Sequence, residues 1–119
     1  MSVTRIEKTS GPGPRMSRCV VHGDTVYVAG LTASDRSADI KGQTQQILDK
    51  IDGFLEQAGS DKSKLLKANL WITDMANFAA MNEIWNAWVD PDNPPVRACV
   101  RADLARPDLL VEIMVSATK

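Results

Sequence analysis

The sequence predicts an α/β (α+β) domain: one mixed β-sheet with two helices packed on a single face, in the order β-β-β-α-β-α-β-β. Three observations point there. Two Val-rich runs flank the turn pair Gly23-Asp24; two stretches carry apolar residues three and four apart; and alternating or β-branched segments follow each of those stretches. Strands that interleave with helices need crossovers, and a chain of 119 residues with 44% hydrophobic content suits one domain, residues 1–119, whose core needs neither disulfide nor metal.

A short opening strand leads into Ser10-Gly11-Pro12-Gly13-Pro14, where the prolines fix φ and remove donors, so a stiff loop is expected. Residues 18–22 and 25–30 read as two antiparallel strands joined tightly at Gly23-Asp24, with Gly30 ending the second. Leu31 to Lys41 reads as a polar loop. From Gln43 to Ala58, Ile47, Leu48, Ile51, Phe54, Leu55 and Ala58 form one helical stripe that Gly59 stops. Residues 65–73 alternate as a strand, with Ala68, Leu70 and Ile72 on one face and Lys67, Asn69, Trp71 and Thr73 on the other. A second helix spans Phe78 to Val89, with Asn77 as its expected N-cap and Pro91, Pro94 and Pro95 beyond its end. Two closing strands, 96–102 and 109–117, read as a hairpin whose loop centres near residues 104–105. The sheet face away from the helices carries Trp71, Leu110 and Met114, an apolar patch that predicts a homo-oligomer.

Fourteen Lys and Arg against fifteen Asp and Glu give a net charge of −1, which speaks against a nucleic-acid footprint, although Arg15, Arg18 and Arg101 could form a local basic patch. No apolar run approaches the roughly 20 residues that cross a bilayer, and Met1 to Lys8 has no signal core, so a cytoplasmic location is expected. Two distant cysteines, Cys19 and Cys99, and the single His22 make no zinc set; reduced thiols and an exposed structural histidine are expected, with no metal. Nucleophile elbow, P-loop, dinucleotide fingerprint and HExxH motif are all missing.

Arg97 opens a strand after Pro94-Pro95-Val96, and in the expected hairpin it falls opposite Glu112 on one face. Two readings follow: an ordinary cross-strand ion pair, or a guanidinium fork for a substrate carboxylate beside a glutamate that holds a water. Trp85 and Trp88 read as core or interface rather than a ligand-stacking pair, and Asn82 as a helix residue facing water.

Val26-Tyr27-Val28-Ala29-Gly30, Glu56-Gln57-Ala58-Gly59-Ser60, Thr73-Asp74-Met75-Ala76-Asn77-Phe78-Ala79-Ala80-Met81-Asn82-Glu83, Pro94-Pro95-Val96-Arg97-Ala98-Cys99-Val100 and Val111-Glu112-Ile113 together resemble the RidA, or YjgF-like, family of reactive-intermediate deaminases over nearly the whole chain. The resemblance implies a chorismate-mutase-like fold, a homotrimer with clefts between subunits, and cofactor-free hydrolysis of 2-imino or 2-enamino acids to 2-oxo acids and ammonia. It implies that Arg97 grips the substrate carboxylate and Glu112 places the attacking water. It also implies that Gly30, Asn82 and Cys99 line the pocket. Many deaminating members carry a tyrosine after a Gly-Pro pair near the N-terminus; here Gly13-Pro14 is followed by Arg15, which takes that pocket position and adds positive charge. That departure keeps a second class in view, a non-catalytic, regulatory trimer that binds small carboxylates or a partner protein, with Arg97 as an anion anchor only. The endoribonuclease or translation-inhibitor label that some family members carry is disfavoured by the net charge.

Overall fold

The computed structural model describes residues 1–119. Its strands form where β-branched and apolar residues alternate. The elements are β1 (Val3–Lys8), β2 (Ser17–His22), β3 (Thr25–Leu31), α1 (Ile40–Gln57), β4 (Leu65–Ile72), α2 (Phe78–Trp88), β5 (Val96–Arg101) and β6 (Val111–Thr118). They build one six-stranded sheet in the order β1-β2-β3-β6-β4-β5. Only β4 and β5 pair in parallel; every other pairing is antiparallel.

The expected C-terminal hairpin is not formed. β6 lies between β3 and β4, and β5 lies beyond β4 at the edge. Burial explains the exchange. Val111, Ile113, Val115 and Ala117 of β6 are all at most 2% exposed, which suits a central strand, whereas β5 has no fully buried residue and Val96 is 70% exposed. Parallel neighbours need a crossover, and α2 supplies the one between β4 and β5; α1 carries the chain from β3 to β4, leaving the slot between them for β6.

Both helices cover one face. Ile47, Leu48, Ile51 and Leu55 of α1, with Met81, Trp85 and Trp88 of α2, pack on Val26, Val28, Leu70, Ile72 and the buried row of β6. Helix α1 begins three residues before the expected Gln43, because the Asp39 side chain accepts from the Gly42 N–H at 2.8 Å and caps it. Its other end matches expectation: Gly59 has φ +81°, with Gly59 N–H donating to the Glu56 carbonyl and Ser60 N–H to the Leu55 carbonyl, a Schellman closure. Asn77 makes no side-chain cap; Asp74 instead caps a short 3-10 turn, Met75–Asn77, that leads into α2.

Gln43, fully buried in the first turn of α1, fixes the two long loops. Its amide donates to the carbonyls of Ala38 and Asp108, both at 3.0 Å, and its oxygen accepts from the Leu110 N–H at 2.9 Å. The entry into β6, and with it the placement of Glu112, is thereby tied to the start of α1. The opposite sheet face carries half-buried Trp71 and Met114, 43% exposed, as expected, together with Tyr27, 50% exposed; Leu110, the third residue of the expected patch, precedes β6 and packs partly buried against the core instead.

Candidate functional site

Arg97 pairs with Ala68 of β4, so its side chain rises on the helix-covered face at the β5 edge. There α2 presents Phe78, Asn82 and Trp85, spaced i, i+4, i+7 along one helix face. Arg97 Nη1 donates to Asn82 Oδ1 at 2.7 Å, and the guanidinium carbon lies 5.4 Å from the Trp85 ring centre and 5.9 Å from that of Phe78. The chain's ion pairs are Arg36–Asp108, Lys41–Glu83 and Lys64–Asp61, so Arg97 has no carboxylate partner. A guanidinium oriented by an amide and two rings, with donors still free, can receive an anion. Cys99 shares this face two residues on; burial pushes its thiol pKa up, and the Arg97 charge partly opposes the shift.

Glu112 stands elsewhere. It pairs with Trp71 and alternates with the buried Val111 and Ile113, which puts it on the open face. Its carboxyl group folds over Gly30 of β3: a Cβ at Gly30 would lie 3.2 Å from Glu112 Cδ and closer still to Oε2. The β3–β6 register is irregular between Val28 and Leu31, where Gly30 sits. Burial raises the Glu112 pKa, with no cation nearby to oppose the shift.

Arg97 and Glu112 therefore do not meet, contrary to the hairpin expectation. Ala68 and Trp71 are three residues apart on β4, so the two groups are offset by about 10 Å along the strands and about 10 Å across them. They also project from opposite faces. The cross-strand ion pair is overturned, because β4 runs between the two strands.

Arg15 is exposed in the β1–β2 loop, between residues that Thr9 fastens: Thr9 Oγ1 donates to the Pro14 carbonyl at 2.7 Å and accepts from Met16 N–H at 2.9 Å. The loop lies at the sheet edge opposite β5, so Arg15 and Arg18 form no patch with Arg101. Asn82 was expected to face water and instead holds Arg97. Trp85 and Trp88 are buried as expected, their ring centres 5.5 Å apart. Sequence reasoning missed Phe78 and Trp85 as the slot for Arg97. The helical stripe that carries them and the strand that carries Arg97 are both legible, but not the position of that strand at the sheet edge beneath α2. Cys19 is buried and unpaired, and His22 is exposed.

No helix is long and apolar enough to cross a membrane. The family described as Endoribonuclease L-PSP matches residues 9–119. The chain is 39% identical over 115 residues to a RutC family protein of Haemophilus ducreyi, covering 97% of this chain and 95% of that protein. It is also 39% identical over 117 residues to the RutC family protein YoaB of Escherichia coli K12, covering 98% of each. Among solved structures, NMB1025 of Neisseria meningitidis, a member of the YjgF protein family, superposes with a TM-score of 0.93 at 36% identity over 100% of this chain and 96% of that one. Rv2704 of Mycobacterium tuberculosis, of the YjgF/YER057c/UK114 family, does so at 0.84 and 30% identity, over 99% and 100%. Fold, sequence and the retained segments agree: the chain belongs to the YjgF-like, RidA-type family.

Proposed function

We propose that this protein hydrolyses 2-imino and 2-enamino acids to 2-oxo acids and ammonia in a homotrimer, at clefts that combine Arg97 of one copy with Glu112 and Gly30 of a neighbour. The observation that carries this reading is the split itself. Arg97 is oriented for an anion on one face, Glu112 is desolvated without a counter-charge on the other, and no substrate can touch both within one chain. The exposed Tyr27 and Met114 on the open face favour its coverage by another copy.

The protonated imine carbon is already electrophilic, so the site needs to hold the carboxylate, aim one water and move its proton. Arg97 supplies two charge-assisted hydrogen bonds to the carboxylate. Glu112 accepts a proton as the water oxygen bonds to the imine carbon, giving a carbinolamine. That proton passes to the nitrogen; as the C–N bond breaks, Glu112 takes the hydroxyl proton and passes it to the departing ammonia, so that oxo acid and ammonium leave and the carboxylate is restored. Gly30 leaves room for the Glu112 carboxyl group, and Cys99 and Asn82 border the Arg97 side.

The test is release of ammonia and oxo acid from enzymatically generated imines. Arg97→Ala and Glu112→Gln should each retain no more than about 1% of wild-type turnover, yet co-refolding them in equal amounts should restore about a quarter of it, because a cleft drawing one residue from each of two copies is intact in that fraction of random pairings. No restoration would place both residues' roles within one chain and sink the reading. Arg15 favours a second reading, a carboxylate-binding trimer: it puts an exposed guanidinium where the family resemblance expects a tyrosine. Stabilisation by 2-oxo acids without any ammonia release would support that alternative.

A further inference from the structure

A cavity of about 500 Å³ opens between the end of β3, helix α1 and the β1–β2 edge, on the α1 side of the strand whose Gly30 meets Glu112 on the other. Arg18 and Lys50 are its cations, Glu7 its one acid, and Leu31 and Phe54 part of its apolar wall. Lys50 Nζ donates to the Thr32 carbonyl at 2.7 Å, which leaves two of its three donors free. Neither Arg18 nor Lys50 belongs to an ion pair. Burial and the neighbouring Arg18 push the Lys50 pKa below the usual lysine value, and Glu7 opposes this only in part. Glu7 itself sits at φ 52°, a left-handed conformation for a residue that is neither Gly nor Asn, at the rim of the cavity.

Two cations set against one carboxylate leave a balance of +1 in a space the size of small-molecule sites. A single carboxylate neutralises it, whereas a dianionic phosphate would meet Glu7. We infer that this cavity binds a small organic monocarboxylate, its carboxylate between Arg18 and Lys50 and its carbon chain against Leu31 and Phe54. The site is separate from the Arg97 cleft and does not rest on the deamination reading.

Titration of the Arg97→Ala protein with butyrate, followed by backbone amide NMR, tests the site without interference from the Arg97 cleft. Saturable shifts at Thr32 and Ala33 are expected, with affinity lowered about tenfold in Arg18→Gln and in Lys50→Gln. Glu7→Gln should raise the affinity for inorganic phosphate relative to butyrate. Should Lys50→Gln fail to fold, Arg18→Gln and Glu7→Gln at the cavity rim still decide. Shifts that never saturate, affinity unchanged in Arg18→Gln, or an unaltered phosphate preference in Glu7→Gln would each overturn the proposal.

Discussion

The β5–α2 edge and the β3–β6 centre hold the two charged groups of the candidate site in opposite ways. At the edge, Arg97 is fixed by neighbours: an amide oxygen at 2.7 Å and two aromatic rings. At the centre, Glu112 is fixed by the sheet alone and unsettled electrically, its carboxyl group folded on a glycine with burial raising its pKa. The first region is prepared in orientation and the second in reactivity. A guanidinium keeps its charge wherever it is placed, so the fold needs only to aim it; a carboxylate becomes a better base when water is withheld. Because the sheet separates them, chemistry needing both groups requires a second copy.

The largest expected effect comes from removing the oriented charge. Arg97→Ala should lower kcat/KM by about 10³-fold or more, since it takes away both hydrogen bonds to the substrate carboxylate. The folded state should lose only about 1–2 kcal/mol, the scale of partly exposed cation–π contacts. Arg97→Lys should rescue little, because an ammonium does not reproduce the planar fork. Steady-state kinetics beside thermal melts would check this, and a wild-type rate in Arg97→Ala would remove the edge region from the site.

Next comes the central region. Glu112→Gln should lower kcat by about 10²-fold with KM little changed, in keeping with loss of a general base rather than of a binding group. Gly30→Ala should act through the same carboxylate: the added methyl displaces the end of a flexible side chain, so kcat should fall about tenfold while the fold tolerates the change. Measured in the Glu112→Gln background, Gly30→Ala should have almost no further effect on kcat, and full additivity would show that it acts by another route.

Asn82→Ala sharpens the edge side. Losing one charge-assisted hydrogen bond should raise KM about tenfold with a smaller change in kcat, and the effect should vanish once Arg97 is already Ala. A persistent Asn82 effect in that background would show that its amide meets the substrate directly.

Much of this was legible in the sequence because the hydrophobic period is local. The stripe Ile47 to Ala58 and the alternation Ala68, Leu70, Ile72 each identify an element and its buried face without reference to the rest of the chain. Strand order is not local. Nothing between residues 102 and 110 says that β6 passes over β5 to lie beside β3 and β4 in antiparallel pairing; the choice depends on which strand best fills a central slot. A hairpin would set Arg97 opposite Glu112; with β4 between their strands, the partner of Arg97 is Asn82. The family resemblance puts Asn82 near the pocket, while a short polar side chain on an amphipathic helix reads as facing water. Gln43 shows the same limit from the other side, since a polar residue in the first turn of a helix gives no local sign that it holds two distant loops.

The smallest effect tests whether the central carboxylate is held at a cost to the fold. Burial raises the folded-state pKa of Glu112 above its unfolded value, so the native protein keeps the proton more tightly than the unfolded chain does. Its favourable contribution is complete below the ordinary glutamate pKa of about 4.3 and is lost as pH rises through the raised folded value. An amide cannot ionise, so Glu112→Gln should melt at a slightly higher temperature than wild type at pH 8. The difference should shrink as pH falls and disappear near pH 4. Paired melting curves across that range would show it. If Glu112→Gln were instead less stable than wild type at pH 8, the carboxylate would have a favourable partner in the assembled protein, and the central region would resemble the edge more closely than one chain suggests.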